Sequence, residues 1–443
     1  MPRLVLWTAA LLVVHGSPDD TLPRPPGVAL ARVTESLRWT EPSVAVDPSA
    51  PAHVLVAYQD PVHVVYSRDS GRTWTGATVA PPDYRVSGDV SVTFDNAGRA
   101  FVCYIAFDRL GTTDYWAHDA TRNGVFVRRS TDGGASWDSS AAIVAASPTK
   151  PGIPFEDKPY IVADNSPSAH RGNLYVGWTR FTLDSSYILF ARSTDHGVTW
   201  SPPLRISTQG GLPRDDNGSV EGFTGAVGPD GTLHVVWADG SHVVFATSSD
   251  GGLHFTASRP AISTAASYFK VADVDRANGF PQIGVDPKRT RLWVSWADYR
   301  NGDADVFAAT SVDRGRTWSK AVRVNTDSLH NGADQFFQWL AVDPTDGTGN
   351  LVFYDRRRDP ANRRLDIVLA RSTDGGRSFP NYAWTDSAFE ARDEFIGDYS
   401  GLAALGGRVY GAWTEVDTTA SGKRARHTRI RVGVADFGHP AAR

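Results

Sequence analysis

Short apolar runs alternate along this chain with turn-forming clusters of Asp, Pro, Gly and Asn, and the runs recur in a fixed order. The first kind ends in Asp-Pro or Asp-Asn, as in Pro42-Ser-Val-Ala-Val-Asp47-Pro48, Pro159-Tyr-Ile-Val-Ala-Asp164-Asn165, Pro281-Gln-Ile-Gly-Val-Asp286-Pro287 and Trp339-Leu-Ala-Val-Asp343-Pro344. Asp folds back on its own backbone and Pro cannot continue a ladder, so each reads as a strand stopped by a turn. The second kind carries an aromatic near its end, at Tyr58, Tyr104, Trp178, Trp237, Trp296, Tyr354 and Trp413. Those rings are expected between neighbouring sheets, where their large apolar area is buried. A third strand follows, then a short outer one such as Leu204-Arg-Ile-Ser207 or Ala321-Val-Arg-Val-Asn325.

Between the third and fourth strands stands a copied segment, Ser-x-Asp-x-Gly-x-Thr/Ser-Trp/Phe. It occurs at Ser67–Trp74, Ser130–Trp137, Ser193–Trp200, Ser311–Trp318 and Ser372–Phe379, with a His at the seventh position in Ser248–Phe255. Six copies some 55–63 residues apart mark a repeat fold, and strand-rich units at that period predict a β-propeller. The inner-strand signal occurs a seventh time, at Asp398–Leu405, followed by Arg408–Trp413 and Thr428–Val434. That last unit lacks a copied turn and an outer strand. Val28–Thr34 resembles the missing strand. The prediction is a seven-bladed all-β propeller closed by its own N-terminal strand, which removes exposed edges. A six-bladed ring with one atypical hairpin is the alternative.

Composition changes this picture little. Of the 443 residues 41% are hydrophobic and 21% charged, as in a soluble globular protein, and 41 Gly with 27 Pro suit many tight turns. A net charge of -4 gives no footing for nucleic acid or an anionic membrane surface. Arg3 followed by the apolar run Leu4–Val14 reads as a secretory signal, too short to span a bilayer. The expected organisation is a signal peptide at 1–18, one propeller at 19–437 and a tail at 438–443, in a monomer without membrane insertion, secreted or periplasmic. Cys103 is the only cysteine, so no internal disulfide forms, and its strand-like surroundings predict a buried, inert thiol.

In the copied turns the Asp accepts backbone N–H groups and the Gly takes positive φ, which is a structural role. Chemistry is therefore expected on the opposite rim. Strand alternation puts two loop sets there. Loops entering the inner strands supply Glu41, Asp89, Glu156, Asp157, Lys158, Glu221, Gln282, Gln338, Asp398 and Tyr399. Loops between second and third strands supply Asp60, Asp108, Arg180, Asp239, Asp298, Arg300, Asp355–Asp359, Arg363, Arg364 and Glu415. Convergence at a central funnel makes this rim the candidate small-ligand site. Arginine forks bind carboxylate or sulfate bidentately, which points to a glycan or acidic sugar as partner. No cofactor is required; the acidic members admit Ca2+, whose ligands are oxygens.

The copied segments have the form of Asp-boxes, also called BNR repeats, and the chain resembles the sialidase (neuraminidase) superfamily. The segment Asp398-Tyr399-Ser-Gly-Leu-Ala-Ala-Leu through Trp413-Thr-Glu415 is similar to the part of sialidases in which a Tyr-Ser pair precedes an apolar strand ending in Glu. The resemblance implies an exo-acting, sialidase-like glycoside hydrolase for an acidic sugar. In it Tyr399 is the nucleophile, Glu221 the base that takes its proton, and Asp89 or Asp60 the acid. A neutral nucleophile escapes repulsion by a substrate carboxylate. Arg363 or Arg364 matches the last carboxylate-gripping arginine, with Arg85, Arg300 and Arg356 as further candidates beside Glu156, Asp157 and Asp398. Where the family carries Arg-Ile-Pro this chain has Thr40-Glu41-Pro42, and no arginine stands at Trp237–Asp239. Two other readings stay open: a non-catalytic glycan- or protein-binding propeller, in which the Tyr399 hydroxyl bonds backbone, and a lyase using His330 or His427.

Overall fold

A computed structural model describes residues 22–59, 61–79, 83–110, 117, 121–147, 154–417 and 427–438. The expected signal peptide, the end of the tail and Asp60 lie outside them. Every regular element among the described residues is a strand, and the strands form a seven-bladed propeller. No helix among them is long and apolar enough to cross a membrane.

The first blade shows the unit: Thr40–Val46, Val54–Gln59, His63–Ser67 and Thr75–Thr78, each antiparallel to the next. Five more blades repeat it, opening on inner strands Val86–Phe94, Phe155–Ala163, Glu221–Val227, Gln282–Asp286 and Gln335–Val342. The seventh comprises Gly401–Leu405, Arg408–Val416 and Thr428–Asp436, completed by Ala29–Arg32 from the other end of the chain. Ala29 pairs with Val434 and Arg32 with Arg431, so the ring closes through its N-terminal strand.

The turn chemistry is the one the sequence predicts. Asp47, Asp95, Asp164, Asp286 and Asp343 each accept the N–H two residues on, at 2.8–3.0 Å. In the copied turns Ser67 Oγ donates to Asp69 Oδ1 (2.8 Å) and accepts from Gly71 N (2.8 Å), while Asp69 takes the Thr73 N–H (2.8 Å) and hydroxyl (2.7 Å). The glycine of each turn sits at positive φ against the preceding blade: Gly315, at φ 80°, faces the Phe245 ring. The turns therefore join blades as well as end strands.

The core is layered between blades. Trp178 packs with Phe101 and Cys103 across the second and third blades, Trp237 with Tyr175 across the third and fourth, and Trp296 with Val236 across the fourth and fifth. All seven second-strand aromatics are buried, as expected. Cys103 is buried too, and burial pushes its thiol far above the ordinary range.

Candidate functional site: an acidic funnel over the channel mouth

Five inner strands share one irregularity. Their register to the second strand slips between Thr40 and Ser43, Gly88 and Ser91, Asp157 and Tyr160, Glu221 and Thr224, and Phe336 and Trp339. Each slip is a bulge whose first extra residue lies at positive φ: Glu41 (54°), Asp89 (49°), Lys158 (49°), Gly222 (77°) and Phe337 (51°). Only the fourth blade uses glycine there. A non-glycine residue held so costs about 1–3 kcal/mol, and such strain clusters at functional sites. Here the bulges turn Glu41, Asp89 and Lys158 into a cavity of about 180 Å³ on the funnel rim, with Asp157 and Glu221 beside them.

Two connections between blades complete the wall. The link into the fourth blade brings Asp215. A small hairpin before the fifth blade, Tyr268–Phe269 paired with Ala277–Asn278, brings Arg276 to the lining and sets Tyr268 outside it, against Glu221 and Asp215. Tyr268 Oη lies 2.7 Å from Glu221 Oε2 and also donates toward Asp215. Arg276 reaches Asp398 through Nε (2.8 Å) and Nη2 (2.5 Å), and Asp215 through Nη1 (2.6 Å). Lys158 Nζ stands 3.5 Å from Asp398, about 5 Å over the Phe280 and Tyr399 rings. Asp89 Oδ2 accepts the Lys158 N–H (3.1 Å), and Glu41 Oε1 the Asp398 N–H (2.9 Å).

Six carboxyl groups thus share a funnel with two cations. Burial first, then the Asp89 and Asp398 charges, hold the Glu41 carboxyl well above the usual carboxylate range. Asp157 is raised by burial, then by the charge of Asp89 and the hydrogen bond between them. Glu221 is raised by burial and then by Asp215. Burial acts on Asp398 too, but Arg276 and Lys158 outweigh it and hold that carboxyl low. Like carboxyls packed together resist joint ionisation, so Glu41, Asp157 and Glu221 hold a proton more tightly than free carboxyls do.

Of the site residues expected from sequence, Glu221, Asp89, Asp157 and Asp398 line this cavity. Tyr399 lies beneath it and is not joined to Glu221. Its hydroxyl donates to the Val90 carbonyl (3.2 Å), and its ring meets Trp339 at 5.8 Å. Burial first, then the surrounding carboxylates, push its phenol well above the ordinary range, against ionisation. The tyrosine partner of Glu221 is Tyr268. Glu156 is fully buried inside its blade, bonded by Trp178 Nε1 (2.6 Å) and Arg180 Nε (2.9 Å).

The five arginines expected to grip an anion do not line the cavity, because each serves elsewhere or faces solvent. Arg300 clasps Asp298 (Nε–Oδ1 2.8 Å). Arg356 is wholly buried on the Asn362 and Ala272 carbonyls (2.7 and 2.6 Å). Arg363 pairs with Asp273 (3.2 Å), Arg364 reaches the Ala388 carbonyl (3.1 Å), and Arg85 is exposed. Arg276, which sequence reasoning passed over, is the arginine of the funnel. Among the described residues no group of three or more His, Cys, Asp or Glu side chains is arranged to hold a metal ion.

No protein-family model matches this chain, and no curated protein matches it. Solved structures do. A polysaccharide lyase described as an ulvan lyase superimposes with a TM-score of 0.51 at 10% identity, covering 89% of this chain and 95% of its own. A Hadza microbial sialidase, Hz136, gives 0.49 at 18%, covering 88% and 75%. The intramolecular trans-sialidase from Ruminococcus gnavus gives 0.45 at 14%, covering 92% and 96%. At such identities the likeness to the lyase shows the fold alone.

Proposed function

We propose that this propeller is a glycoside hydrolase working at the acidic funnel, with Tyr268 in the role first expected of Tyr399. The observation that carries this is the 2.7 Å hydrogen bond between Tyr268 Oη and Glu221 Oε2, at the edge of a cavity whose other wall holds Asp157, a carboxyl with raised affinity for a proton. Glycosidic cleavage needs an acid for the leaving oxygen and a nucleophile or base across the sugar ring. Asp157, sharing a hydrogen bond with Asp89, supplies the acid. Tyr268 attacks the anomeric carbon, and its phenolic proton passes to the Glu221–Asp215 pair, of which Asp215 is the member ion-paired to Arg276. Water then attacks the same carbon, Asp157 takes its proton, the bond to Tyr268 breaks, and the Glu221–Asp215 pair returns the phenolic proton to Tyr268.

The cavity, at about 180 Å³, is smaller than the roughly 300–1,000 Å³ of drug-sized sites. That size suits one terminal sugar and an exo-acting enzyme. An acidic sugar fits this wall poorly, since Arg276 already serves two carboxylates. The second reading, a non-catalytic glycan-binding propeller, draws on Tyr399, whose hydroxyl is bonded to backbone. A panel of chromogenic glycosides followed by NMR separates the two. Turnover with retained anomeric configuration is expected; binding of glycans without turnover of any would overturn the hydrolase.

A further inference from the structure

We infer that the funnel selects a ligand through a positively charged amino group, the ammonium of an amino sugar, and that Glu41 receives it. The sugar half of this inference rests on the glycoside reading; the charge half does not.

The two cations of the funnel are committed. Arg276 spends Nε, Nη1 and Nη2 on Asp398 and Asp215, and Lys158 lies between Asp398 and two aromatic rings. Glu41 is the reverse case. It is 1% exposed, lines the cavity, and uses Oε1 on the Asp398 N–H, while Oε2 is buried without a hydrogen-bond partner. A buried carboxyl oxygen left without a partner costs free energy that a hydrogen-bonding group on a ligand would recover. Its backbone is held at φ 54° by the bulge, so the placement is maintained against strain.

The facing groups decide which donor fits. Asp89 and Asp398 lie near enough for their charges to act on Glu41, against Lys158 and Arg276. A neutral hydroxyl donor would leave the acidic surplus in place. An incoming ammonium lets Glu41 ionise: its carboxylic proton leaves to solvent, and an N–H···O bond to the carboxylate forms. Charge-assisted hydrogen bonds of this type are about twice as strong as neutral ones.

Isothermal titration calorimetry on the full chain, in two buffers of different ionisation enthalpy at pH 6, tests this with glucosamine, glucose and glucuronate. Glucosamine is expected to bind roughly tenfold or more tighter than glucose. It should also release about one proton per site. Glu41→Gln should erase the preference and the release while glucose binding persists. Glu390→Gln, which removes an exposed carboxylate outside the cavity, should keep both. Equal affinities, tighter binding of glucuronate, a preference surviving Glu41→Gln, or displacement of glucosamine by Ca2+ would each overturn the inference. Monosaccharides carry no bond to cleave, so the outcomes separate: preference without glycoside turnover sinks the hydrolase alone, and turnover without preference sinks this inference alone.

Discussion

The two rims of this propeller treat carboxyl groups in opposite ways. On the rim of the copied turns, hydrogen bonds from the Thr73 and Thr317 hydroxyls and N–H groups pull Asp69 and Asp313 down to about 2. On the funnel rim, burial and like charge push Glu41, Asp157 and Glu221 up. The copied turns satisfy each of their Asp carboxylates from within the same turn, and so that rim ends strands and joins blades. The second rim crowds carboxyls from five connections into one cavity, raising the proton affinity of Glu41, Asp157 and Glu221 and leaving an oxygen of Glu41 unbonded, at some cost to the fold. Stability and the proposed chemistry thus sit at opposite ends of the same strands.

Breaking the structural rim should have the larger effect on stability. At Gly315 a methyl group would be forced into positive φ and into the Phe245 ring. Gly315→Ala should therefore destabilise the protein by about 2–4 kcal/mol, read by denaturant unfolding. An unchanged midpoint would contradict the blade-joining role.

The funnel should respond with the opposite sign. A carboxyl whose folded-state affinity for protons is raised favours folding at low pH, and that favour is lost as pH climbs above the ordinary carboxylate range. Glu221→Gln removes this loss, and should raise Tm at pH 7 by about 1–3 °C while reducing turnover. A fall in Tm at neutral pH would count against a raised proton affinity at Glu221.

The turn carboxylates give the mirror-image profile. Their folded values lie below the unfolded ones, so their contribution is present above about pH 4 and lost as pH falls towards about 2. Asp313→Asn should lower stability at neutral pH and leave it nearly unchanged towards pH 2, so that the acid limb flattens, and a parallel shift at all pH values would contradict this.

Much of the fold was legible because strand periodicity, Asp-Pro stops and the copied turns are local signals. The closure strand followed from a missing element in the last unit. The site was legible in part. Asp89, Asp157, Glu221 and Asp398 precede or begin inner strands, so alternation led to them. Tyr268, Arg276 and Asp215 sit in connections between an outer strand and the next inner strand, where no period applies. Their roles arise from contacts across the ring, such as Arg276 with Asp398, 122 residues apart. The arginines of the second loop set misled for a local reason: Asp298 lies two residues from Arg300, and Arg356 finds two backbone carbonyls. Tyr399 misled because its motif fixes its place in the chain and not the direction of its hydroxyl.

The smallest change and the largest meet in one measurement: kcat/KM for Tyr399→Phe and Tyr268→Phe, side by side, on a glycoside that the wild type cleaves. Tyr399 gives up a single bond to the Val90 carbonyl, so activity should stay within about threefold of wild type. Tyr268→Phe should lose at least roughly a hundredfold, as expected for a removed nucleophile. Loss on Tyr399→Phe with activity retained by Tyr268→Phe would contradict the account.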